Sequence, residues 1–188
     1  MVLPIVTYND PVLREKTSRI EEDSDELQAF IEDMFETMYN SNGVGLAAPQ
    51  VGRAIQLFVT DSDTMTEESD EPDAGPLVFI NPEIIESGGE ELKMEEGCLS
   101  IPDVRDDVVR PEMIKVRYLD RDFEEQEMET DGWLSRVIQH EYDHLQGVLF
   151  LDHLSAFRRR LHRLRLKKIE KGLLETEYPL VPKEAEKF

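Results

Sequence analysis

Residues 139–147, Gln-His-Glu-Tyr-Asp-His-Leu-Gln-Gly, constrain this chain more than any other stretch. Leu134, Val137, Ile138 and Leu145 recur at helical spacing, and Glu141 and His144 fall on the same broad face. The pattern predicts a helix over Trp133–Gln146, with Asp131-Gly132 before it and Gly147 as its stop. A helix that sends histidine and glutamate inward must satisfy them there, and a metal ion does so. His140 and His144, four residues apart, lie on one face and can grip one ion. A catalytic metal site normally takes three protein ligands and keeps one position open. The fold must therefore bring a third ligand to this helix.

The residues leave several candidates. In the H-E-x-x-H-x-x-G-x-x-H arrangement the third histidine lies six residues past the second. Phe150 stands at that position here and cannot ligate. His153, His162, Glu170 and Glu175 follow in the chain. Cys98, in Glu96-Gly97-Cys98-Leu99-Ser100, is the single cysteine. One thiolate with two imidazoles suits a divalent first-row metal, but a lone cysteine is by default a small buried hydrophobe. A third motif, Gly43-Val44-Gly45-Leu46-Ala47-Ala48-Pro49-Gln50, is a run of small residues that admits close approach and ends in an amide donor. Alone it reads equally well as a tight helix-to-strand connection.

The 188 residues suit one domain, expected over 1–172, with an extended tail over 173–188. A net charge of −21 argues against general nucleic-acid binding. Eight of the 21 Lys and Arg residues nevertheless lie in Arg158–Lys171, beside a single acid, Glu170. One cysteine excludes an internal disulfide and fits a reducing compartment. The N-terminus lacks a signal-peptide pattern, and no run approaches the ~18 apolar residues of a membrane span. We therefore expect a cytoplasmic protein with no membrane partner, and a monomer.

Asp10-Pro11 predicts a capped turn of helix. Asp23 or Ser24 caps a long helix carrying Leu27, Phe30, Ile31, Met34, Phe35 and Met38 on one face, ending near Asn40 before Asn42-Gly43. Ala54–Thr60, Leu77–Asn81, Glu83–Glu86 and Glu90–Met94 read as strands, the last two joined by a turn at Ser87-Gly88-Gly89. Ile114, Val116 and Tyr118 alternate with Lys115 and Arg117 as a half-buried strand, turned into another at Asp120–Asp122. Asp61–Pro76 holds seven acids and no base, so we expect a solvated, mobile insertion without a part in the chemistry. A last helix is expected from about Leu154 to Gly172, with Leu154, Phe157, Leu161 and Leu164 facing the core. Strands followed by helices with short connections make the class α+β.

Taken together and in this order, GVGLAAPQ, EGCLS and QHEYDHLQG resemble the three signature motifs of the peptide deformylases. The resemblance extends over about residues 3–165. It implies antiparallel β-sheets packed around a central H-E-x-x-H helix, flanked by an N-terminal and a C-terminal helix. It implies one divalent metal ion held by Cys98, His140 and His144, with water in the fourth position. Fe²⁺ is the family's usual ion, and Zn²⁺, Ni²⁺ or Co²⁺ can take its place. The implied reaction removes the N-formyl group from the initiator formyl-methionine of new polypeptides, releasing formate. Glu141 would be the general acid/base. The Gln50 amide and the Leu99 N–H would stabilise the oxyanion.

By the same resemblance, Val44, Gly45, Met94, Trp133, Val137 and His140 would line the methionine pocket, and Arg105 would lie near the substrate backbone. The peptide would lie extended beside Val44-Gly45. Arg136 falls near this wall and would point to solvent or to later peptide residues. Asp143 is expected to pair with Arg110. The basic stretch 158–171 reads either as a solvated helix face or as a contact with ribosomal RNA. The competing readings are an H-E-x-x-H zinc peptidase and a non-catalytic ribosome-binding relative.

Overall fold

The computed structural model describes residues 1–66 and 71–182 of the chain. In chain order the elements are β1 (Ile5–Val6), α1 (Asp25–Asn40), β2 (Gly45–Ala47), β3 (Leu57–Thr60), α2 (Asp63–Thr66), β4 (Leu77–Cys98), β5 (Ile101–Leu119), β6 (Glu125–Thr130), α3 (Gly132–Leu145), α4 (Ala156–Leu161), α5 (Arg163–Glu170) and β7 (Leu180–Val181). Strands β2-β3-β4-β5-β6 form one antiparallel sheet in sequence order. Mixed helices and an antiparallel sheet make the class α+β, as expected. The small second sheet departs from the expectation of antiparallel sheets. Its strands β1 and β7 pair in parallel, because they come from the two ends of the chain rather than from one hairpin.

Local signals account for most boundaries. Ser24 caps α1 by accepting the Leu27 N–H at 3.1 Å. Asp10 accepts the Val12 N–H at 3.0 Å and starts a turn of 3₁₀ helix at Pro11. Asn42, at φ 52°, turns the chain out of α1. Strand β3 is buried on both faces because helices cover both. Leu57 and Val59 pack with Leu27, Ile31, Met34 and Met38 of α1. Phe58 points the other way and packs with Ile138 and Leu145 of α3.

The expected turn at Ser87–Gly89 is absent. Strand β4 runs on through it for 22 residues and pairs along most of the 19-residue β5. Register shifts at Gly88/Glu91 and elsewhere make these glycines part of a bulged, bent ribbon. Gly89, at φ 78°, is the left-handed residue that such a bulge uses. The true turn between β4 and β5 is the pair Leu99-Ser100, with Cys98 opposite Ile101.

The acidic segment also departs from expectation. Residues 67–70 of it lie outside the described residues, but its remaining parts are tied to the fold. Asp63 accepts the N–H groups of Ala74 and Gly75 at 2.9 and 3.0 Å. The Glu71 carboxylate accepts the Trp133 N–H at 2.9 Å, at the start of α3. Asp131 makes no side-chain cap there, so Glu71 supplies the negative group that a helix N-terminus favours.

The last helix is also not the single element expected. It is two short helices meeting at His162, and Phe157, Leu161 and Leu164 are exposed at 67, 60 and 78%. Leu154 and Ile169 reach the core instead. The orientation is set by Asp106 of β5, buried, which accepts from Arg158 and from His162 at 2.9 and 2.7 Å. Burial alone would raise the Asp106 pKa. The bonds from Arg158, His162 and the Asp107 N–H outweigh it and hold the carboxyl below its ordinary range.

A depressed carboxylate pKa stabilises the fold above the unfolded value of about 3.9 and stops doing so as pH falls through the folded value. Asp106→Asn should therefore loosen α4 at neutral pH, at a cost on the order of 1 kcal/mol given the half-exposed Arg158. The difference from the unaltered protein should vanish in acid. Hydrogen exchange across residues 156–162 at pH 7 and pH 3 measures both.

Candidate metal centre and active site

Cys98 ends β4, and His140 and His144 lie one turn apart on α3. Their ligand atoms all fall within 4.8 Å of one another. Cys98 Sγ is 3.4 Å from His144 Nε2. Both histidines are buried, and the thiol is half-buried. The other candidates are engaged elsewhere. His153 meets Asp143 at 2.7 Å, His162 meets Asp106, and Glu170 accepts from Tyr8. Glu175 lies on the wall of the cleft described below.

Glu96 orients His140, a role the sequence did not reveal. Its carboxylate, 5% exposed, meets His140 Nδ1 at 2.9 Å. A carboxylate only accepts, so Nδ1 carries the proton and Nε2 keeps its lone pair for a metal. Arg110 binds both Glu96 oxygens, at 2.7 and 3.0 Å. Arg136 adds a bond at 2.9 Å and also donates to the Val108 and Leu92 carbonyls. Arg136 is thus buried structure, not a solvent-pointing side chain. The inward face of α3 and the acid on β4 draw it in. Arg110 also reaches Asp143 at 2.8 Å, the pairing expected from the sequence. Burial would raise the Glu96 pKa, but His140 and Arg110 hold it well below the carboxylate range.

Glu141 follows His140 but faces the opposite wall, formed by the glycine motif. A Cβ on Gly45 would lie 2.5 Å from Glu141 Oε1, and one on Gly43 would lie 2.9 Å from Leu99 Cδ1. The two glycines therefore admit the acid and the leucine side chain. Glu141 Oε2 is buried without a hydrogen-bond partner among the described residues. Burial pushes its carboxyl up to about 7, where it can both take and return a proton near neutral pH. Gln50 Oε1 accepts the Ala47 N–H at 2.9 Å, which turns Nε2 toward Cys98 Sγ and Ser100 Oγ, each at 3.4 Å.

Gln50, Glu96, Cys98, His140 and Glu141 line one cleft of about 700 Å³. Val44, Gly45, Leu99, Arg105, Trp133 and Val137 also line it. Met94 is not among its lining residues. It lies farther up β4, half-buried opposite Val108. The donor set fits a divalent ion: one soft thiolate, two buried imidazoles with one tautomer enforced, and an unpartnered carboxylate oxygen beside them.

The comparisons decide the family. The model of the family described as polypeptide deformylase matches residues 2–160. The chain belongs to that family. It is 54% identical to the peptide deformylase of Salinibacter ruber over 99% of this chain and 97% of the relative. It is 46% identical to that of Christiangramia forsetii over 96% of this chain and 95% of the relative. Among solved structures, the Legionella pneumophila peptide deformylase superposes with a TM-score of 0.81 at 40% identity, over 92% of this chain and 98% of that one. The Ehrlichia chaffeensis enzyme in complex with actinonin gives 0.82 at 40% identity, over 91 and 97%. The deformylases are metal-dependent enzymes, so the three-ligand cluster takes its meaning from the family as well as from its chemistry.

Glu96 was legible in principle. It stands two residues before Cys98 in a strand, and alternate residues share a face. Glu96→Gln keeps the shape and removes the charge that two buried guanidiniums face. It should cost roughly 3–5 kcal/mol of stability and loosen metal binding about 10–100-fold. Thermal unfolding and titration with Zn²⁺ measure the two effects.

Proposed function

We propose that this deformylase hydrolyses the N-formyl group of the initiator methionine on new polypeptides through the residues gathered in the cleft. The convergence of Cys98, His140, Glu141 and Gln50 on one cavity, with His144 buried beside Cys98 and His140, carries the reading. Cys98, His140 and His144 would hold one divalent ion, Fe²⁺ as the family's usual ion or Zn²⁺, Ni²⁺ or Co²⁺, which would supply Lewis acidity and lower the pKa of water at the site. Glu141 accepts the proton of the attacking water at its free oxygen and delivers it to the departing amine. Gln50 Nε2 and the Leu99 N–H donate to the oxyanion that develops from the formyl oxygen. Val44, Gly45, Trp133 and Val137 hold the methionine side, and Arg105, exposed at the rim, meets the peptide beyond it.

The wider assignments follow the same line. The H-E-x-x-H helix α3 is the element around which the sheets are arranged. Residues 1–172 act as one catalytic unit, residues 61–76 are an insertion within it, and 173–188 are its tail, of which 183–188 lie outside the described residues. The protein works as a cytoplasmic monomer. Among the described residues no helix is long and apolar enough to cross a membrane.

Metal-loaded protein should release formate from an N-formylmethionyl tripeptide. It should stop when a strong chelator is added and should leave the acetyl analogue intact. Gln50→Ala should slow kcat roughly 10²–10³-fold. One bound metal per chain without formate release would favour the non-catalytic relative. A cleaved internal peptide bond would favour the zinc peptidase.

The basic stretch 158–171 is proposed to touch ribosomal RNA. Arg158 and Arg165 pair with Asp106 and Asp103, and the exposed Phe157, Leu161 and Leu164 interleave with the remaining cations. Binding to ribosomes in a sedimentation assay should weaken steeply with salt and disappear when residues 159, 160, 163, 167 and 168 are neutralised. Salt-independent binding would sink the contact.

A further inference from the structure

The C-terminal segment lies beyond the region that the family model matches, and the mechanism above does not use it. Strand β7 binds β1: the Ile5 N–H donates to the Pro179 carbonyl at 2.8 Å and the Thr7 N–H to that of Val181 at 3.3 Å. This pairing lays the preceding residues along the cleft, where Glu175, Thr176, Glu177 and Tyr178 form part of its wall. The Thr176 hydroxyl donates to the Tyr178 carbonyl at 2.7 Å and steadies the segment. The Tyr178 ring packs against the core that α1 covers. Its hydroxyl donates to the Leu99 carbonyl at 2.7 Å.

Leu99 and Ser100 are the whole of the turn between β4 and β5. In a two-residue turn the ladder bonds belong to the flanking pair, here Cys98 and Ile101, so the orientation of the turn depends on what else holds it. Both turn carbonyls are held from the same side. The Ser100 carbonyl accepts from the Tyr8 N–H at 3.0 Å, two residues past β1. The Leu99 carbonyl accepts from Tyr178, two residues before β7. The sheet built from the chain ends thus braces the turn that carries the Leu99 amide.

We propose that Tyr178 is a positioning residue for deformylation: its hydroxyl, anchored by the β1–β7 pairing, fixes the Leu99–Ser100 peptide and so limits rotation of the Leu99 backbone, which holds the preceding Cys98–Leu99 peptide with its N–H toward the developing oxyanion. The proposal rests on the reading of the Leu99 N–H as an oxyanion donor. A donor aimed in advance stabilises charge without reorganising during the reaction, so losing its brace acts on the transition state more than on substrate binding. A phenol suits the task because it stays protonated up to about pH 10 and can only donate to a carbonyl.

Tyr178→Phe keeps the ring and deletes the donor. With metal-loaded protein and a formylmethionyl tripeptide, kcat should fall about three- to tenfold, the worth of one neutral hydrogen bond, while KM stays within about twofold. Metal content should stay unchanged, and the melting temperature should fall by no more than about 2–4 °C, the loss of one such bond. In zinc-loaded, ¹⁵N-labelled protein the Leu99 amide resonance should move while those of α1 stay in place. Val181→Pro, which loosens β7 and keeps the tyrosine, should give the same kcat-selective loss, and it decides the matter if the phenylalanine variant does not fold. Full kcat with an unmoved Leu99 amide overturns the proposal. So does a loss confined to KM, which makes Tyr178 a substrate contact, or a loss of metal, which makes it a structural prop. No formate release by the unaltered protein strikes the deformylase mechanism instead. An active parent, an impaired Gln50→Ala and an unimpaired Tyr178→Phe strike this proposal alone.

Discussion

The buried carboxylate of Glu96 is the constraint on which the rest of the centre depends. Three cationic or proton-donating partners converge on it from two elements: Arg110 on β5, and Arg136 and His140 on α3. Buried charge is tolerated only when its oxygens are fully matched, and here both are. The match fixes the separation and rotation of α3 relative to the β4–β5 ribbon. It also sets the tautomer of a metal-facing imidazole. The ligand geometry is thus enforced by a salt-bridge cluster outside the ligand set, as is usual for metal sites whose histidines are oriented from behind.

The opposite wall works by exclusion. Gly43 and Gly45 leave out side chains where Leu99 and Glu141 need the space. Gln50 is turned by its own loop through the Ala47 N–H, so its donor end is aimed without any contact from the helix. The cleft is therefore the meeting of three independently braced parts: a loop after α1, the end of β4, and α3. The loop packs on two clusters through Leu46 and Ala48 on one side and Ala47 on the other, the second of which it shares with Ile138 and Leu145 of α3, while Cys98 packs on a third. Chain ends and insertion add to this frame. Glu71 closes the start of α3, and the β1–β7 pair leans on the Leu99-Ser100 turn.

What was readable in the chain was local or periodic. The α1 cap at Ser24, the apolar face of α3, its stop at Gly147 and the strand at β3 follow from spacing and turn chemistry. The Asp143–Arg110 pair was anticipated, and it is present. What was misread depended on long-range pairing. Ser87-Gly88-Gly89 carries turn residues, yet β5 alongside keeps the strand running and uses them as a bulge. Phe157, Leu161 and Leu164 have core-like spacing, yet Asp106 rotates the helix so that they face outward. Arg136 looks like a surface cation until Glu96 is seen beneath it.

The sequence by itself determined the chemistry available to this protein: two histidines one helical turn apart, a glutamate beside them, a single thiol, and an amide at the end of a glycine loop. Their number and types limit the chain to a narrow set of hydrolytic metal sites, because ligand identity is written residue by residue. Which candidate side chain comes to lie beside the two imidazoles, which acid holds one of them, and what braces the Leu99 turn are features of the tertiary structure. Those features bring together residues from β4, α3 and the tail, 42 to 79 positions apart in the cases of Cys98–His140 and Leu99–Tyr178. No local pattern encodes such a meeting. It arises when burial of three apolar clusters closes the chain on itself and brings buried polar groups such as Glu96 against partners distant in the sequence.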